Sequence, residues 1–448
     1  GKPHGLVSSS HDLQGARRPR RDSVSIIMRL PNAFQLVASA AMVAFAAPAA
    51  AQSLDVVIAE AMARSPSLEG ARARAESARA GVNAARAERA PSAALEGQIG
   101  VGRIDPQGFF GLTADDVVPR SARATVELPL FTGGRINAAI RQATGGAEAA
   151  DQQVRMAALE LRVRVVQAYV QAVAARQLIA RYDTLNRALD EALRQARLKF
   201  KAGEGTSTET AQAEARRAEA EAGLSSARGQ LAGSMAQLAA LAGHPVTLDV
   251  ELPGAPQIPP SSDAAIAMAL KDNPMVLSAI RQIDAARAKS DGVRAERLPT
   301  IGAYGEAASV RDQFFPGYKA DSASVGLRAR WTIFSGGRIG AKASGAAADL
   351  RAAQADADNA RLVVEQQAVV AFQDVTTARA VLSASEARLT ASEAALRGTA
   401  LEVKAGAKPQ LAQLDAEREV IEAQAARAEA GGRVLVAAYR LRAIAGID

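Results

Sequence analysis

The sequence predicts an α+β membrane protein in which each chain supplies four amphipathic strands continuous with very long helices. Three observations predict it. Leu130-Phe131-Thr132-Gly133-Gly134-Arg135-Ile136 recurs as Ile333-Phe334-Ser335-Gly336-Gly337-Arg338-Ile339. Each copy closes a run of period-two alternation and opens about seventy residues of helical spacing. The chain on either side of these two stretches is duplicated as well.

Each stretch reads as a strand-to-helix hinge. The pairs Gly133-Gly134 and Gly336-Gly337 let the backbone swing from extended to helical, and Thr132 or Ser335 is the expected N-cap. A phosphate-binding loop does not fit, because no Gly-Lys-Ser/Thr follows the glycines and no βαβ unit surrounds them.

In chain order, residues 1–51 are expected to be a leader. Residues 1–27 are polar and irregular and stand outside the expected fold. From Met28 and Arg29 a short positive region leads into an apolar run, Phe34 to Ala47, and Ala49-Ala50-Ala51 offers a cleavage site before Gln52. This is the pattern of a secretory signal peptide, too short and Ala-rich for a membrane helix. Arg20-Arg21 is followed by Asp22 and lies far from the apolar core, so ordinary secretion is expected over a twin-arginine route.

Charge and composition exclude several classes. The leader holds six of the 54 basic and two of the 47 acidic residues, which leaves the body with 48 and 45, nearly balanced. No basic run interleaved with aromatics suggests nucleic acid. There is no Cys, hence no disulfide framework, thiolate metal site, Cys nucleophile or lipidated N-terminal Cys. Two of three His lie in the leader and His244 stands alone, so general acid-base chemistry has few candidates; no enzyme activity, cofactor or metal is expected.

The first structural repeat spans 52–243 and the second 263–448. Ser65-Pro66 and Pro91 recur 208 positions later as Asn273-Pro274 and Pro299; beyond the strands the offset falls to 203, pairing Lys201-Ala202-Gly203 with Lys404-Ala405-Gly406. The five-residue change belongs in the loop joining two strands. Each repeat opens with a short helix, then a second one N-capped by Ser65 or Asn273 with Pro at its first position. Strands follow: Leu95, Gly97, Ile99 and Val101 alternate with polar or small residues, as do Val126, Leu128 and Leu130, and Val325 through Ile333; Ile301 to Val310 is weaker. About ten residues with one apolar and one polar face is the pattern of an outer-membrane strand and equally of a half-buried soluble one. Phe109, Phe110, Phe131, Tyr304, Phe314, Phe315, Tyr318, Trp331 and Phe334 fall at strand ends or joining loops, where a membrane girdle places aromatics.

Residues 147–202 and 346–397 contain no Gly or Pro, so each hinge opens a helix about 100 Å long. Val375, Leu382, Leu389, Leu396 and Val403 recur every seven residues, and Leu178, Tyr182, Leu185 and Leu189 step by four and three, both coiled-coil spacings. The helices stop at Gly203 and Gly406 and reverse as hairpin tips, with Thr206 and Glu209 at capping-box spacing and Pro409 at a first helical position. The returns run to Gly243 and Gly446. Residues 244–262 carry five Pro and read as an inter-repeat linker with one small strand from Val246 to Leu252.

Four strands cannot close a barrel, and an open edge cannot face lipid, so other copies must complete the sheet. A barrel whose strands continue into such helices is a conduit. In the order and doubling of its hinges and tips, from about Ser53 to Asp448, the chain resembles the TolC family of outer-membrane efflux proteins. That resemblance implies a homotrimer with a 12-stranded outer-membrane β-barrel continuous with a long periplasmic α-helical barrel, in the outer membrane of a Gram-negative bacterium. It further implies a periplasmic adaptor docking at the tips around Gly203 and Gly406, and an inner-membrane pump of the RND or ABC class that chooses the substrate of efflux or type I secretion. Lack of a lipidation Cys favours ducts of the protein-secretion kind over lipoprotein drug-efflux members, although non-lipidated drug exporters exist in the family. Aligned at Gly406, Asp415 falls on one acidic gate position, Ala412 occupies the other, Lys408 falls on a basic one and Glu209 on an acidic position of the first tip. A single acidic ring is therefore expected, against the plainer reading of solvated helix charges. The alternatives are a periplasmic adaptor, which normally carries one hairpin, and a structural coiled-coil envelope protein.

Overall fold

The computed structural model describes residues 53–105, 114–249 and 251–447; the leader, Phe109, Phe110 and Asp448 lie outside the described residues. Chain order gives α1 (Leu54–Arg64), α2 (Pro66–Ala87), β1 (Ser92–Ile99), β2 (Gly102–Ile104), β3 (Asp115–Val117), β4 (Arg120–Phe131), α3 (Arg135–Lys201), α4 (Ser207–Ala242), α5 (Ser262–Asp272), α6 (Pro274–Ala295), β5 (Thr300–Arg311), β6 (Lys319–Arg330), α7 (Arg338–Lys404) and α8 (Gln410–Ile444). The duplication is geometric: α5 and α6 repeat the bounds of α1 and α2 shifted by 208, and α7 repeats those of α3 shifted by 203. No described helix is long and apolar enough to cross a membrane.

The short helices are set by their junctions. Pro66 and Pro274 both stand at the first helical position. Asn273 caps as expected, its Oδ1 accepting the Met275 amide at 2.8 Å, while its Nδ2 donates to the Ile444 carbonyl and ties the end of α8 to the α5–α6 corner. Ser65 does not cap, because its hydroxyl turns to that of Ser67 at 2.9 Å and leaves the preset φ of Pro66 to start the helix.

Strands β1, β4, β5 and β6 form one antiparallel sheet in that order, so the two repeats meet at β4 and β5 in its middle. β4 carries an irregularity between Pro129 and Phe131. The longer first loop holds the ribbon β2–β3, which accounts for the change of offset. β6 ends at Arg330, so Trp331 and Ile333 fall beyond the strand that alternation alone extends through them.

At each hinge the observed cap differs from the expected one. Gly134 and Gly337 are themselves the N-caps, at φ 89° and 84°, preceded by Gly133 and Gly336 at 61° and 59°. Two successive left-handed residues make a tight turn closed by the Arg135 amide on the Thr132 carbonyl, which leaves the Thr132 hydroxyl no cap to make. Ser335 keeps a weaker role, its Oγ accepting from the Ile339 amide at 3.4 Å.

Both α3 and α7 run 67 residues, about 100 Å. α3 is the hub: α2 and α6 flank its hinge half, α4 and α8 its tip half, while α7 packs on α6 and α8. The main core lies where these halves meet, around Leu161, Val165, Val166, Tyr169 and Val173 of α3, with Leu54, Val57, Leu238 and Leu435. Among the described residues of 244–261 there is no strand, only a bridge at Leu248, because Val246 and Leu248 plug into this core. Tyr169, fully buried, accepts the Asp249 amide at 3.3 Å, and burial raises its pKa.

The hinge copies differ in their surroundings. A Cβ on Gly133 would lie 2.6 Å from Leu298 Cβ and 3.1 Å from the Ala295 carbonyl, whereas one on Gly336 meets open space. Gly336→Ala is expected to cost the left-handed penalty alone, about 1–2 kcal/mol, and Gly133→Ala that penalty plus about 1–3 kcal/mol of overpacking. Thermal unfolding of the two purified variants in detergent checks the order; equal losses would show that the contact relaxes freely.

Candidate functional site: sheet faces, open edges and hairpin tips

Residues opposite one another in an antiparallel ladder share a face. The registers therefore divide the sheet into a largely apolar face, charged only in the two rows farthest from the hinges (Arg120, Arg311, Lys319 and Asp321), and a polar one. One face carries Leu95 and Ile99 of β1, Val126 and Leu128 of β4, Ile301, Ala303 and Ala307 of β5, and Val325 and Leu327 of β6. Leu95, Val325 and Leu327 are 81%, 88% and 71% exposed, so this apolar face is bare. The other face carries Glu96, Arg123, Glu127, Glu306, Arg328 and Arg330. β1 and β6 are each paired along one side only.

The polar face is knit by charge. Arg123 meets Glu306 at 3.4 Å, and Arg328 of β6 reaches across β5 to Glu127 of β4 at 3.0 Å. On its way the Arg328 guanidinium lies 4.6 Å from the centre of the Tyr304 ring, a cation–π contact. Tyr304 is thus not at a strand end but within β5 on the polar face, where Gly326 opposite makes room; a Cβ there would meet the ring at 3.1 Å. Of the other aromatics, Phe131 ends β4, Trp331 and Phe334 follow β6, and Phe314 and Phe315 pack edge-on against Tyr318 in the β5–β6 turn.

At the tips, Gly203 and Gly406 take left-handed conformations at φ 77° and 74°. Thr206 and Glu209 form the expected capping box, the Thr206 Oγ1 accepting the Glu209 amide and the Glu209 carboxylate accepting the Thr206 amide. Pro409 is the N-cap of α8, one residue before the first helical position expected for it. Near the tips Leu198, Phe200 and Leu401 are exposed, apolar side chains that helical spacing gave no reason to single out.

The three charged candidates do not converge; each has its own partner. Glu209 serves the box, and the Lys408 ammonium lies 2.7 Å from Glu402. Asp415 on α8 accepts from the Arg216 guanidinium on α4, beside the cluster of Leu185, Leu189, Ala220 and Leu414. Arg418 of α8 meets Glu219 of α4 at 3.8 Å close by. Two ion pairs thus join the two hairpins of one chain. Arg216, 199 positions from Asp415, carries no local sequence signal of this role. Among the described residues no group of three His, Asp or Glu could hold a metal ion.

The family model for outer membrane efflux proteins matches residues 57–244 and 265–447, one segment in each repeat. Outer membrane efflux protein BepC of Brucella suis is 27% identical over 280 residues, 62% of this chain and 61% of BepC. Alkaline protease secretion protein AprF of Pseudomonas aeruginosa is 27% identical over 335 residues, 72% of this chain and 69% of AprF. The alignment thus spans about three fifths of BepC and little more of AprF. The crystal structure of the Campylobacter jejuni CmeC outer membrane channel superposes with a TM-score of 0.76 at 16% identity, over 88% of this chain and 85% of that one, which shows a shared fold.

The capping box makes a local prediction. Thr206→Ala removes one of its two hydrogen bonds and is expected to cost about 1 kcal/mol, confined to the first tip. Hydrogen exchange should speed up at the Glu209 and Thr210 amides and stay unchanged at the second tip.

Proposed function

The chain belongs to the outer membrane efflux protein family, and from that premise we propose that it is the outer-membrane exit duct of a tripartite efflux or type I secretion system. One observation carries the reading. A four-stranded sheet with a bare apolar face, a charged opposite face and two unpaired edges continues through left-handed hinges into helices about 100 Å long. Lipid tolerates such edges only when they are closed, and closure by further copies encloses the charged face as an aqueous lumen. Three copies give twelve strands, with the helices extending the lumen through the periplasm of a Gram-negative cell. Substrates pass by conduction, without a chemical step. BepC and AprF are named for efflux and for protease secretion respectively, which supports both classes of system.

In this arrangement the hairpin tips face the inner membrane. Leu198, Phe200 and Leu401 supply apolar contacts for a periplasmic adaptor, beside the turns at Gly203 and Gly406. The adaptor in turn links the duct to an RND or ABC pump. Asp415 acts as gate through Arg216: while paired, it holds the two hairpins of a chain together, and opening requires their separation. Released, three Asp415 carboxylates form one acidic ring favouring cations. Lys408 and Glu209 are proposed to contribute to the gate from their own positions, Lys408 paired with Glu402 and Glu209 by fixing its own tip.

Light scattering on the detergent-extracted mature protein, corrected for bound detergent, is expected to give a trimer; a soluble monomer would overturn the duct. In planar bilayers Asp415→Ala is expected to raise single-channel conductance and weaken divalent block, and Arg216→Ala to raise conductance while leaving block intact. Traces identical to wild type for both variants would remove the gating role.

A further inference from the structure

We propose that Arg120, Arg311 and Lys319 form a binding site for the headgroup of a phosphate-bearing lipid in the outer leaflet, an inference that rests on the barrel reading above. The site lies on the apolar face, at the rim farthest from the hinges. There Ile99, Arg120, Arg311 and Lys319 stand opposite one another across β1, β4, β5 and β6. The next residues on that face, toward the hinges, are Gly97, Ala122, Ser309 and Asp321, and then Leu95, Ala124, Ala307 and Ala323. Charge on the outward face is thus confined to its two outermost rows, the second holding only Asp321, where acyl chains give way to headgroups.

Three cations side by side in one ladder row are unfavourable, since like charges directly opposite destabilise a sheet. Only the middle one is compensated. Asp321 holds Arg311 in a two-pronged pair at 2.9 and 3.1 Å, which occupies both of its oxygens. Arg120 and Lys319, one on either side, are exposed and make no ion pair among the described residues. Two inter-strand steps place the two about 10 Å apart, a span suited to an anionic headgroup lying across β5. An anion shared between them relieves the repulsion that the sheet itself leaves standing.

Neighbouring features agree. The corresponding rim of the polar face carries Gln98, Ser121, Val310 and Ala320, with no charge, so the cations do not serve the mouth of the lumen. Asp115 and Asp116 lie beyond the sheet in the β2–β3 ribbon, where Asp116 meets Arg103 at 3.3 Å and Asp115 accepts the Asp116 amide. Tyr318 directly precedes Lys319, and Phe314 beside it is 61% exposed, the amphipathic aromatic setting of a membrane interface.

The test uses the detergent-extracted full-length protein, first shown by light scattering to be a trimer, so that failure of the barrel reading registers separately. Native mass spectrometry then measures retention of lipid A, a diphosphorylated glycolipid, against the same lipid stripped of its phosphates. Wild type is expected to prefer the phosphorylated form about tenfold, and Arg120→Gln with Lys319→Gln to abolish the preference. Lys319→Arg should keep it, as should Arg330→Gln on the polar face. Equal retention of both lipids by wild type, or an undiminished preference in the double variant, would overturn the site. Displacement by millimolar inorganic phosphate would show a free-anion site instead and overturn the assignment to lipid.

Discussion

The unpaired backbone along β1 and β6 is the constraint on which the remaining architecture depends. A strand edge in hydrocarbon leaves amides and carbonyls without partners, at several kcal/mol each. No rearrangement within one chain removes both edges, because β4 and β5 already occupy the middle of the sheet. Oligomerisation is therefore a condition of membrane residence and not an embellishment of it. The same demand appears in the helices. α3 is packed on by α2, α4, α6 and α8, whereas the main packing of α7 among the described residues is on α5, α6 and α8 and leaves Leu362, Val370 and Leu401 in solvent. Edge strand β6 leads through the exposed Ile333 and Phe334 directly into this half-covered helix, so one continuous flank of the chain is left bare.

Continuity between sheet and helix rests on a few left-handed residues. A strand cannot run straight into a helix without a change of direction, and two positive-φ residues in succession accomplish it within one turn. Duplication preserved that turn in both repeats while the contacts around it diverged. Gly133 is pressed against Leu298 from the other repeat, and Gly336 faces open space. The internal hinge is thus locked by the partner repeat of the same chain.

Much of this was legible in the sequence because it rests on local rules. Uninterrupted Gly- and Pro-free runs marked the long helices, Pro66 and Pro274 marked helix starts, and Thr206 with Glu209 announced a box that the structure forms. Period-two alternation separated the two faces within the strands, since register alone decides which side chains share a face, but it ran on through Leu130, where the register shifts, and through Val101, Trp331 and Ile333, which lie outside β1 and β6. What escaped was decided by tertiary competition. Thr132 has good capping chemistry, but the turn closed by Gly133 and Gly134 takes its place. Val246 to Leu252 alternates like a strand, yet Val246 and Leu248 gain more by entering the core than by pairing. Sequence position alone puts Tyr304 at a strand end; cross-strand neighbours Gly326 and Arg328 hold it within β5 on the polar face instead. Arg216 lies far from Asp415 in sequence, and only the packing of α4 and α8 against α3 brings them together.

The candidate gate illustrates why a charge pattern read from one helix is incomplete. A lone carboxylate near a pore entrance suggests an acidic ring, whose members repel one another and favour cations. The Arg216 pair changes that expectation, because Asp415 is then compensated within its own chain, and in the proposed gate its charge would be latent. Side chains of the pair are about one third exposed, a position where water screens some of the attraction but not all of it. A latch of this strength, reinforced by Arg418 with Glu219, holds two hairpins together without committing them. Under the proposed duct reading, separating the two hairpins would cost only a few such pairs per chain.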